Sequence, residues 1–459
     1  MRHATLKKVD LPDFGSPTVE PVLSRVLYSA RLARLRQRLA AQKLDALVIY
    51  GDREHAANIS WAIGFDPRFE EAICIIVPGR APTLLAGNEG YPYAEAANGE
   101  FERVLWQPLS LMGQPRDKHR DLDLILRDSG LKAGMRIGLA GWKGFETEEG
   151  QFDPQWFETP AYLVGALRRF GQLENAALLF MSPVDGLRAI NEVDQLACFE
   201  YAATLTSSAI GRLVRGTKPG MTEYQSASLY AQNGFPQSVH INMCAGPRAK
   251  LGLPSPSMRV IQHGDPIVAG HGLWGALNCR AGFMVKDAGE LPPGISNYVE
   301  KLVAPYFEAA VAWYETIGIG VAGGAVYDAV MSRVGDPFFG IGLNPGHLIH
   351  LDEWLHSPIR KHSAMKFASG MALQCDIIPA TGTDYFTSNI EDGIALADAA
   401  MRAEFKSKYP EGWSRIEARS TFMMEKLGIR LKPEVLPFSN IPAWLPPFWL
   451  SPDNVMTMV

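Results

Sequence analysis

The sequence predicts an α+β protein of two domains, in which an N-terminal α/β domain precedes a second domain of long helices and strands. With 459 residues, of which 47% are hydrophobic and 20% charged, the chain can bury two large cores. Helix and strand patterns alternate through its first half. Near residue 183 a Pro- and Gly-marked connection leads into a long helix, and we place the domain boundary there.

The elements of the first domain are predicted from the spacing of its apolar residues. Residues 1–20 carry several prolines and charges and are expected to form an arm. An amphipathic helix over about 29–43 precedes a buried strand at 46–50, which ends at a Gly-Asp turn. Further apolar runs predict strands at 72–79, 82–87 and 135–141.

The second domain is predicted to begin with the long helix and a shorter, capped one. The elements expected after them are strands at about 238–288, helices near 296–315 and 323–334, and strands around His347 and at 371–396. From 399 onward a helix gives way to a Pro-aromatic tail, a composition that suits an extended segment on an apolar surface. The predicted divisions of the chain are therefore 1–20, 21–184, 185–398 and 399–459.

Composition and net charge indicate which binding partners and which cellular compartment to expect. The net charge of -5 comes without any basic block, so we expect neither nucleic-acid nor membrane binding. The five cysteines are widely spaced and form no CxxC pair, which indicates a reduced, cytoplasmic protein. We find no signal-peptide pattern and no apolar window long enough to span a membrane. A small molecule or peptide is therefore the expected substrate.

Three of the ten histidines fall within ten residues, in the segment NPGHLIHLDEWLHSP (344–358). They are His347, His350 and His356. Imidazole is a common metal ligand, and it is the side chain that titrates nearest neutral pH. The cluster therefore indicates either a metal centre or a proton-transfer site.

Several short motifs follow one another in a recognisable order between about residues 25 and 398. They are RLARLRQRLAAQKLDALVIY, LRAINEVDQL, KPGMTEY, QHGDPIVA, PGHLIHLD, SGMALQCDIIP and NIEDGIAL. Their order and spacing resemble the pita-bread hydrolases, a family that includes creatinase, aminopeptidase P, prolidase and methionine aminopeptidase. The resemblance implies that the second domain is a pita-bread domain, a curved antiparallel sheet with helices on its outer face.

In metal-dependent members of that family, two aspartates, one histidine and two glutamates on the inner face of the sheet hold two divalent ions. The resemblance places the histidine at His347, the first glutamate at Asp376 and the second at Glu391. The first aspartate position is Gly270, and the stretch 274–282, where the second is expected, contains no acid. A dinuclear centre is therefore not expected.

Creatinase is the informative relative, because it too lacks the aspartates and acts without a metal. The resemblance implies a hydrolase that cleaves a C–N bond in a small carboxylate-bearing substrate, with a non-peptide substrate favoured over an Xaa-Pro peptide. His347 or His271 would act as general base or proton shuttle, while Asp376 and Glu391 would orient the substrate and stabilise a developing cation. No cofactor is expected under this interpretation.

The resemblance also implies a homodimer. Arg68, in GFDPRFEEA, roughly matches an arginine that reaches into the partner subunit's site. There its planar fork would hold the substrate carboxylate through two parallel hydrogen bonds. Further candidates for substrate binding are His240, Trp274, His350 and His356.

Two other hypotheses stay open. In one, His271, His347, Asp376 and Glu391 form a mononuclear site for Zn, Fe or Mn in a peptidase, another hydrolase or a lyase. That site requires His271 to point the same way as His347. In the other, the chain is a catalytically inactive binding subunit. For Asp376 and Glu391 the structural alternative is an ion pair with Arg280 or another arginine.

Overall fold

The computed structural model describes residues 2–147 and 151–459. Contacts divide the chain into an N-terminal unit, Val22–Arg188, and a second unit made of Met1–Pro21 and Ala189–Val459. The division after residue 188 lies close to the predicted one after residue 184. The predicted arm contains strand β1 (Ala4–Lys8), which pairs antiparallel with the C-terminal strand of the second unit.

The N-terminal unit is an α/β domain, as predicted. Its sheet consists of β2 (Ala46–Gly51), β3 (Ala72–Ile76), β4 (Thr83–Ala86), β5 (Glu102–Leu105), β6 (Met135–Ala140) and β7 (Gly171–Asn175). The order is β5-β4-β3-β2-β6-β7, with β2-β6, β6-β7 and β4-β5 parallel and the other pairs antiparallel. The helices are α1 (Arg25–Gln42), α2 (Ala57–Ile63), α3 (Gly90–Tyr93), α4 (Leu122–Asp128), α5 (Ala161–Arg168) and α6 (Leu178–Met181).

Helix α1 begins four residues before the predicted start. Ser24 caps it, because its side chain accepts a hydrogen bond from the Leu27 N–H. Leucines at positions 32, 35 and 39 lie on one face at helical spacing and are buried. Lys43 ends the helix in the left-handed conformation, with a φ of 57°.

The second unit is built on one antiparallel sheet and long helices. Its strands are β8 (Asn242–Ala245), β9 (Pro266–Leu273), β10 (Ala276–Phe283), β11 (His347–Leu348), β12 (Ala372–Asp376), β13 (Ile390–Leu396), β14 (Val435–Pro437) and β15 (Asn454–Met458). Its helices are α7 (Val193–Gly216), α8 (Glu223–Ala227), α9 (Ala304–Thr316), α10 (Gly323–Val334), α11 (Ala399–Lys408) and α12 (Pro410–Glu425).

The central sheet has the strand order β11-β12-β13-β10-β9-β8, and β14 pairs with β13. All of these pairs are antiparallel, and the sheet curls into a half-barrel, so the predicted pita-bread architecture is confirmed. Helix α7 packs against β9, β10 and β13. Within the described residues no helix, the 24-residue α7 included, is both long and apolar enough to cross a membrane.

The C-terminal tail packs onto the sheet, as its Pro-aromatic composition predicts. Trp444 and Trp449 are fully buried. Arg280 of β10 ties the tail to the sheet, because it donates to the carbonyl oxygens of Trp444 and Ile441 and to the carboxylate of Asp392. Around Arg280 this face of the sheet is therefore a packed interior.

Candidate active site

A row of opposed residues crosses four strands of the central sheet. Gly270 of β9 faces Cys279 of β10, Cys279 faces Glu391 of β13, and Glu391 faces Asp376 of β12. Directly opposed residues project their side chains to the same face of a sheet. Cys279, Glu391 and Asp376 therefore share one face.

His347 joins this row from the end of the sheet. It opposes Gln374, which lies two residues before Asp376 and so on the same face. The His347 Nε2 lies 3.9 Å from the Asp376 Oδ2. His347 is fully buried, and Asp376 and Glu391 are 4% and 3% exposed. The structure thus brings together three of the residues that the sequence predicts for the site.

A fourth group, Glu353, is part of the cluster and was missed from the sequence. Its Oε1 lies 3.1 Å from the His347 Nε2, although the two do not have hydrogen-bond geometry. Ligand atoms of His347, Glu353 and Glu391 all lie within 4.8 Å of one another. The side chain of Glu353 is 25% exposed, so it lies at the open edge of the cluster.

Glu353 reaches the cluster because β11 is only two residues long. The Leu348 N–H donates to the His356 carbonyl at 2.7 Å, and the Leu355 N–H donates back to Leu348 at 2.9 Å. Residues 349–354 therefore form a loop that folds back over β11. The sequence carried a signal for this loop, since the adjacent acids at 352 and 353 interrupt an apolar run that would otherwise continue as a buried strand.

The Trp354 ring covers the imidazole of His347. The two rings stack at 4.1 Å with an interplanar angle of 21°. The other ring nitrogen, Nδ1, lies 3.1 Å from the Leu348 carbonyl oxygen. These contacts fix the imidazole with Nε2 directed at the carboxylates.

Burial and like charge set the ionisation of the cluster. Burial lowers the pKa of His347, but the carboxylates of Glu353 and Asp376 outweigh it, so this pKa lies above its ordinary value. Burial raises the pKa of Asp376 to about 6, against the opposing effect of His347. Burial, followed by the charges of Asp376 and Glu353, raises the pKa of Glu391 well above its ordinary value.

Neither carboxylate is held by the arginine that the sequence suggested as a structural partner. Arg280 lies one residue after Cys279 and projects to the other face, where it donates to Asp392 at 2.7 Å. The Oδ1 atom of Asp376 has no hydrogen-bond partner in the described part of the chain. The structural alternative of an ion pair between Asp376 or Glu391 and Arg280 is therefore wrong.

Cys279 fills the space beside Gly270, the position where the first aspartate was expected. A Cβ atom on Gly270 would lie 2.7 Å from the Cys279 sulfur, closer than real contacts allow. Burial and the neighbouring Glu391 raise the pKa of the Cys279 thiol well above its ordinary value. This part of the row therefore offers a neutral thiol and no acid.

His271 does not belong to the cluster, contrary to the predicted catalytic role and mononuclear ligand set. It follows Gly270 on β9, so strand alternation sends its side chain to the opposite face. There its ring stacks on Tyr230, with centroids 4.9 Å apart. Burial, with a smaller contribution from Arg212, lowers the pKa of His271 to about 4.

The other two histidines of the 344–358 segment lie beside the cluster but outside its group of ligand atoms. His350 is fully buried, and its ring packs edge-on against Phe199 of α7. His356 lies where the loop returns to β11, in a single β-bridge with Leu348. Within the described residues, His347 is the histidine of this segment that belongs to the group of ligand atoms.

For the remaining candidates for substrate binding, the positions and contacts that the structure describes lie elsewhere than the cluster. His240 precedes the edge strand β8, and its Nε2 lies 2.9 Å from the Leu253 carbonyl oxygen. Trp274 lies in the turn between β9 and β10. Arg68 belongs to the N-terminal unit, where it pairs with Asp66.

Comparison with known proteins agrees with the predicted resemblance. Residues 31–149 match the model of the family described as the creatinase/prolidase N-terminal domain. No curated protein sequence matches the chain. The resemblance to the creatinase, aminopeptidase P and prolidase proteins is confirmed for this domain by sequence.

Solved structures extend the likeness to most of the chain. A prolidase from Thermococcus sibiricus superposes with a TM-score of 0.64 at 17% identity, covering 81% of this chain and 95% of that one. An Xaa-Pro dipeptidase from Bacillus anthracis gives 0.60 at 15% identity, covering 81% and 96%. An X-Pro aminopeptidase from Thermotoga maritima gives 0.59 at 17% identity, covering 80% and 95%. At such identities the likeness shows a shared fold.

Proposed function

We propose that this chain, whose residues 31–149 match the creatinase/prolidase N-terminal domain and whose fold is shared with prolidases, is a hydrolase of carbon–nitrogen bonds. The reaction would take place at the cluster of His347, Glu353, Asp376 and Glu391. The observation that carries the proposal is the convergence of three carboxylates and one imidazole on one buried face.

The cluster has an excess of negative charge. His347 supplies at most one positive charge against three carboxylates, and after burial the charged groups that act on the pKa values of Asp376 and Glu391 are His347 and other acids. Carboxylates buried without positive partners are costly, so they either take up a proton or are stabilised by a bound cation or a cationic substrate group. The arrangement therefore suits a reaction in which a positive charge is bound or develops.

The donor set fits one divalent cation. His347, Glu353 and Glu391 would hold it, and the unpartnered Asp376 Oδ1 offers a further oxygen. One nitrogen and several carboxylate oxygens suit Zn, Fe or Mn. The carboxylate set does not extend to a second ion at the other end of the row, because Gly270 has no side chain and the residue opposite it, Cys279, is not an acid.

The residues of the chain would divide the work of hydrolysis between them. Asp376, with one free oxygen facing the cluster, would accept the proton of the attacking water. When no cation is bound to it, His347, whose ring is fixed by Trp354, would stabilise negative charge on the reacting carbonyl or pass a proton to the leaving nitrogen. A bound divalent cation supplies Lewis acidity, which polarises a carbonyl group and makes water a better nucleophile near neutral pH.

The first substrates to test are Xaa-Pro dipeptides. The solved structures with this fold include an Xaa-Pro dipeptidase, a prolidase and an X-Pro aminopeptidase, and none of the three is named for a non-peptide substrate. The predicted preference for a non-peptide substrate thus gains no support from them.

A second candidate is hydrolysis without a metal, of a small substrate that brings its own positive charge. It is favoured by the absence of an acid at Gly270 and in the stretch 274–282, where the resemblance places the two aspartates of metal-dependent relatives. In that case the substrate cation would occupy the place between Glu353 and Glu391.

The proposal is tested by assaying the purified chain for release of a free amine from Xaa-Pro dipeptides and small N-substituted amides. The assay is run before and after chelation and with Zn, Fe or Mn restored. We expect activity that Glu353→Gln reduces by roughly 100-fold or more, as for loss of a group that acts on the reacting centre. Asp352→Asn, in the same loop but outside the cluster, is the matched control. Full activity of the Glu353→Gln variant would contradict the assigned site.

A further inference from the structure

A small cavity lies next to α7, on the face of the sheet opposite the candidate active site. Its volume is about 70 Å³. Its buried walls include His271, Leu273 and Tyr230, and its exposed edge is formed by residues 231–233 and Ser16. All of these residues belong to the second unit.

His271 presents an unused polar group to this cavity. The residue is 3% exposed, and its ring stacks on Tyr230, yet it makes no hydrogen bond to any residue within 2–147 and 151–459. Burial holds the pKa of His271 near 4, so near neutral pH the imidazole carries one N–H donor. A buried donor without an acceptor costs about 1–3 kcal/mol, so an occupant that accepts this hydrogen bond is favoured.

Arg212 supplies a positive charge to the same cavity. Its Nε and one of its terminal nitrogens donate to the carbonyl oxygens of Leu229 and Tyr230. Among the described residues no carboxylate pairs with it, whereas Arg215, on the same helix, is paired with Asp453 at 2.8 Å. No residue that lines the small cavity is acidic. The guanidinium is thus oriented by the backbone and keeps its charge unpaired.

We propose that this cavity binds a small carboxylate anion, such as formate or acetate, between Arg212 and His271. The guanidinium fork and the imidazole N–H are donors that match carboxylate oxygens. The volume corresponds to roughly two water molecules, which limits the anion to a few heavy atoms. The site is separate from the proposed hydrolytic centre, because His271 and the Gly270 row project to opposite faces of the sheet.

The experiment titrates the full chain with sodium acetate at constant ionic strength and follows histidine Cε1–H signals in protein labelled with ¹³C at that carbon. The His271 signal is assigned with His271→Gln. We expect acetate to shift this signal with saturation, and Arg212→Gln to weaken acetate binding by about 10-fold or more. Arg215→Gln, the matched loss of an arginine from the same helix, should leave the acetate affinity within about twofold.

Three results would overturn the proposal. The first is a His271 signal that does not respond to acetate, which would mean that the cavity holds water only. The second is an equal response in the Arg212→Gln variant, which would show that the guanidinium takes no part. The third is an equal response to benzoate, which is too large for the cavity. Wild-type titrations with acetate and benzoate decide two of these outcomes even if a variant fails to fold.

Discussion

At the scale of single residues, the candidate site is defined by carboxylates held in or beside the protein interior, where a negative charge costs free energy. Asp376 and Glu391 are almost fully buried, and Glu353 closes over them from the 349–354 loop. By contrast Asp392, the next residue on β13, projects to the other face and has a buried arginine partner in Arg280. Glu391 is therefore assigned to the candidate site and Asp392 to the stability of the fold, and mutation of each residue can distinguish these two roles.

Glu391→Gln tests that contrast. In the chelated protein we expect it to change the free energy of unfolding by no more than about 1 kcal/mol, because it removes a carboxylate that has no positive partner. Asp392→Asn should cost about 3–5 kcal/mol, since it leaves Arg280 buried and unpaired. Urea unfolding measures both values. A loss of 3–5 kcal/mol from Glu391→Gln would indicate a structural ion pair instead of a functional group.

Gly270 and Cys279 form a second testable pair of residues. Because a Cβ at 270 would lie 2.7 Å from the Cys279 sulfur, Gly270→Ala should lower the free energy of unfolding by about 1–3 kcal/mol. In the background of Cys279→Ala the same change should cost clearly less, since the sulfur is gone. A double-mutant cycle in urea measures this coupling, and additive effects would mean that the contact is not the cause.

At the scale of elements, strand alternation decides which predicted residues meet. His271 is one residue from the Gly270 position, and on a strand that offset moves its side chain to the opposite face. The length of β11 matters equally, because a strand of two residues lets the following loop bring Glu353 back over His347. The loop, more than the strand, completes the cluster.

The burial of His271 predicts a pH dependence of stability. Its pKa is about 4 in the folded chain against an ordinary value of 6.5, so between these pH values the unfolded chain binds more protons. The free energy of unfolding is therefore unaffected by the titration of His271 above pH 6.5. As the pH falls from 6.5 toward 4, it decreases by up to about 3 kcal/mol. Urea unfolding from pH 7 to 4.5 measures the slope. His271→Gln should flatten it, and an unchanged slope would count against a buried neutral imidazole.

At the scale of the whole molecule, the fold and part of the site could be predicted from sequence. The order of the motifs identified the two domains and the strands that carry His347, Asp376 and Glu391, because those motifs are local. Glu353 could not be placed, since its position depends on where β11 ends. The pairing of β1 with β15 joins the two ends of the chain, and no local pattern reveals such a contact.

The homodimer in which Arg68 serves the neighbouring site stays a prediction. Light scattering should give a mass of about twice the 50.4 kDa of one chain. Arg68→Ala should raise KM for a carboxylate-bearing substrate by roughly 10-fold or more, as for loss of a bidentate contact. A fully active monomer, or an unchanged KM in the variant, would refute the shared site.

The most direct test of the proposed cation site is calorimetric titration of the chelated chain with Zn²⁺ or Mn²⁺. The donor set predicts one tightly bound equivalent per chain, which Glu353→Gln weakens strongly and Asp352→Asn leaves unchanged. Two tight equivalents would show that further donors complete a dinuclear centre. The absence of tight binding, or equal binding by the Glu353→Gln variant, would contradict the assignment of His347, Glu353 and Glu391 as the ligands of one divalent cation.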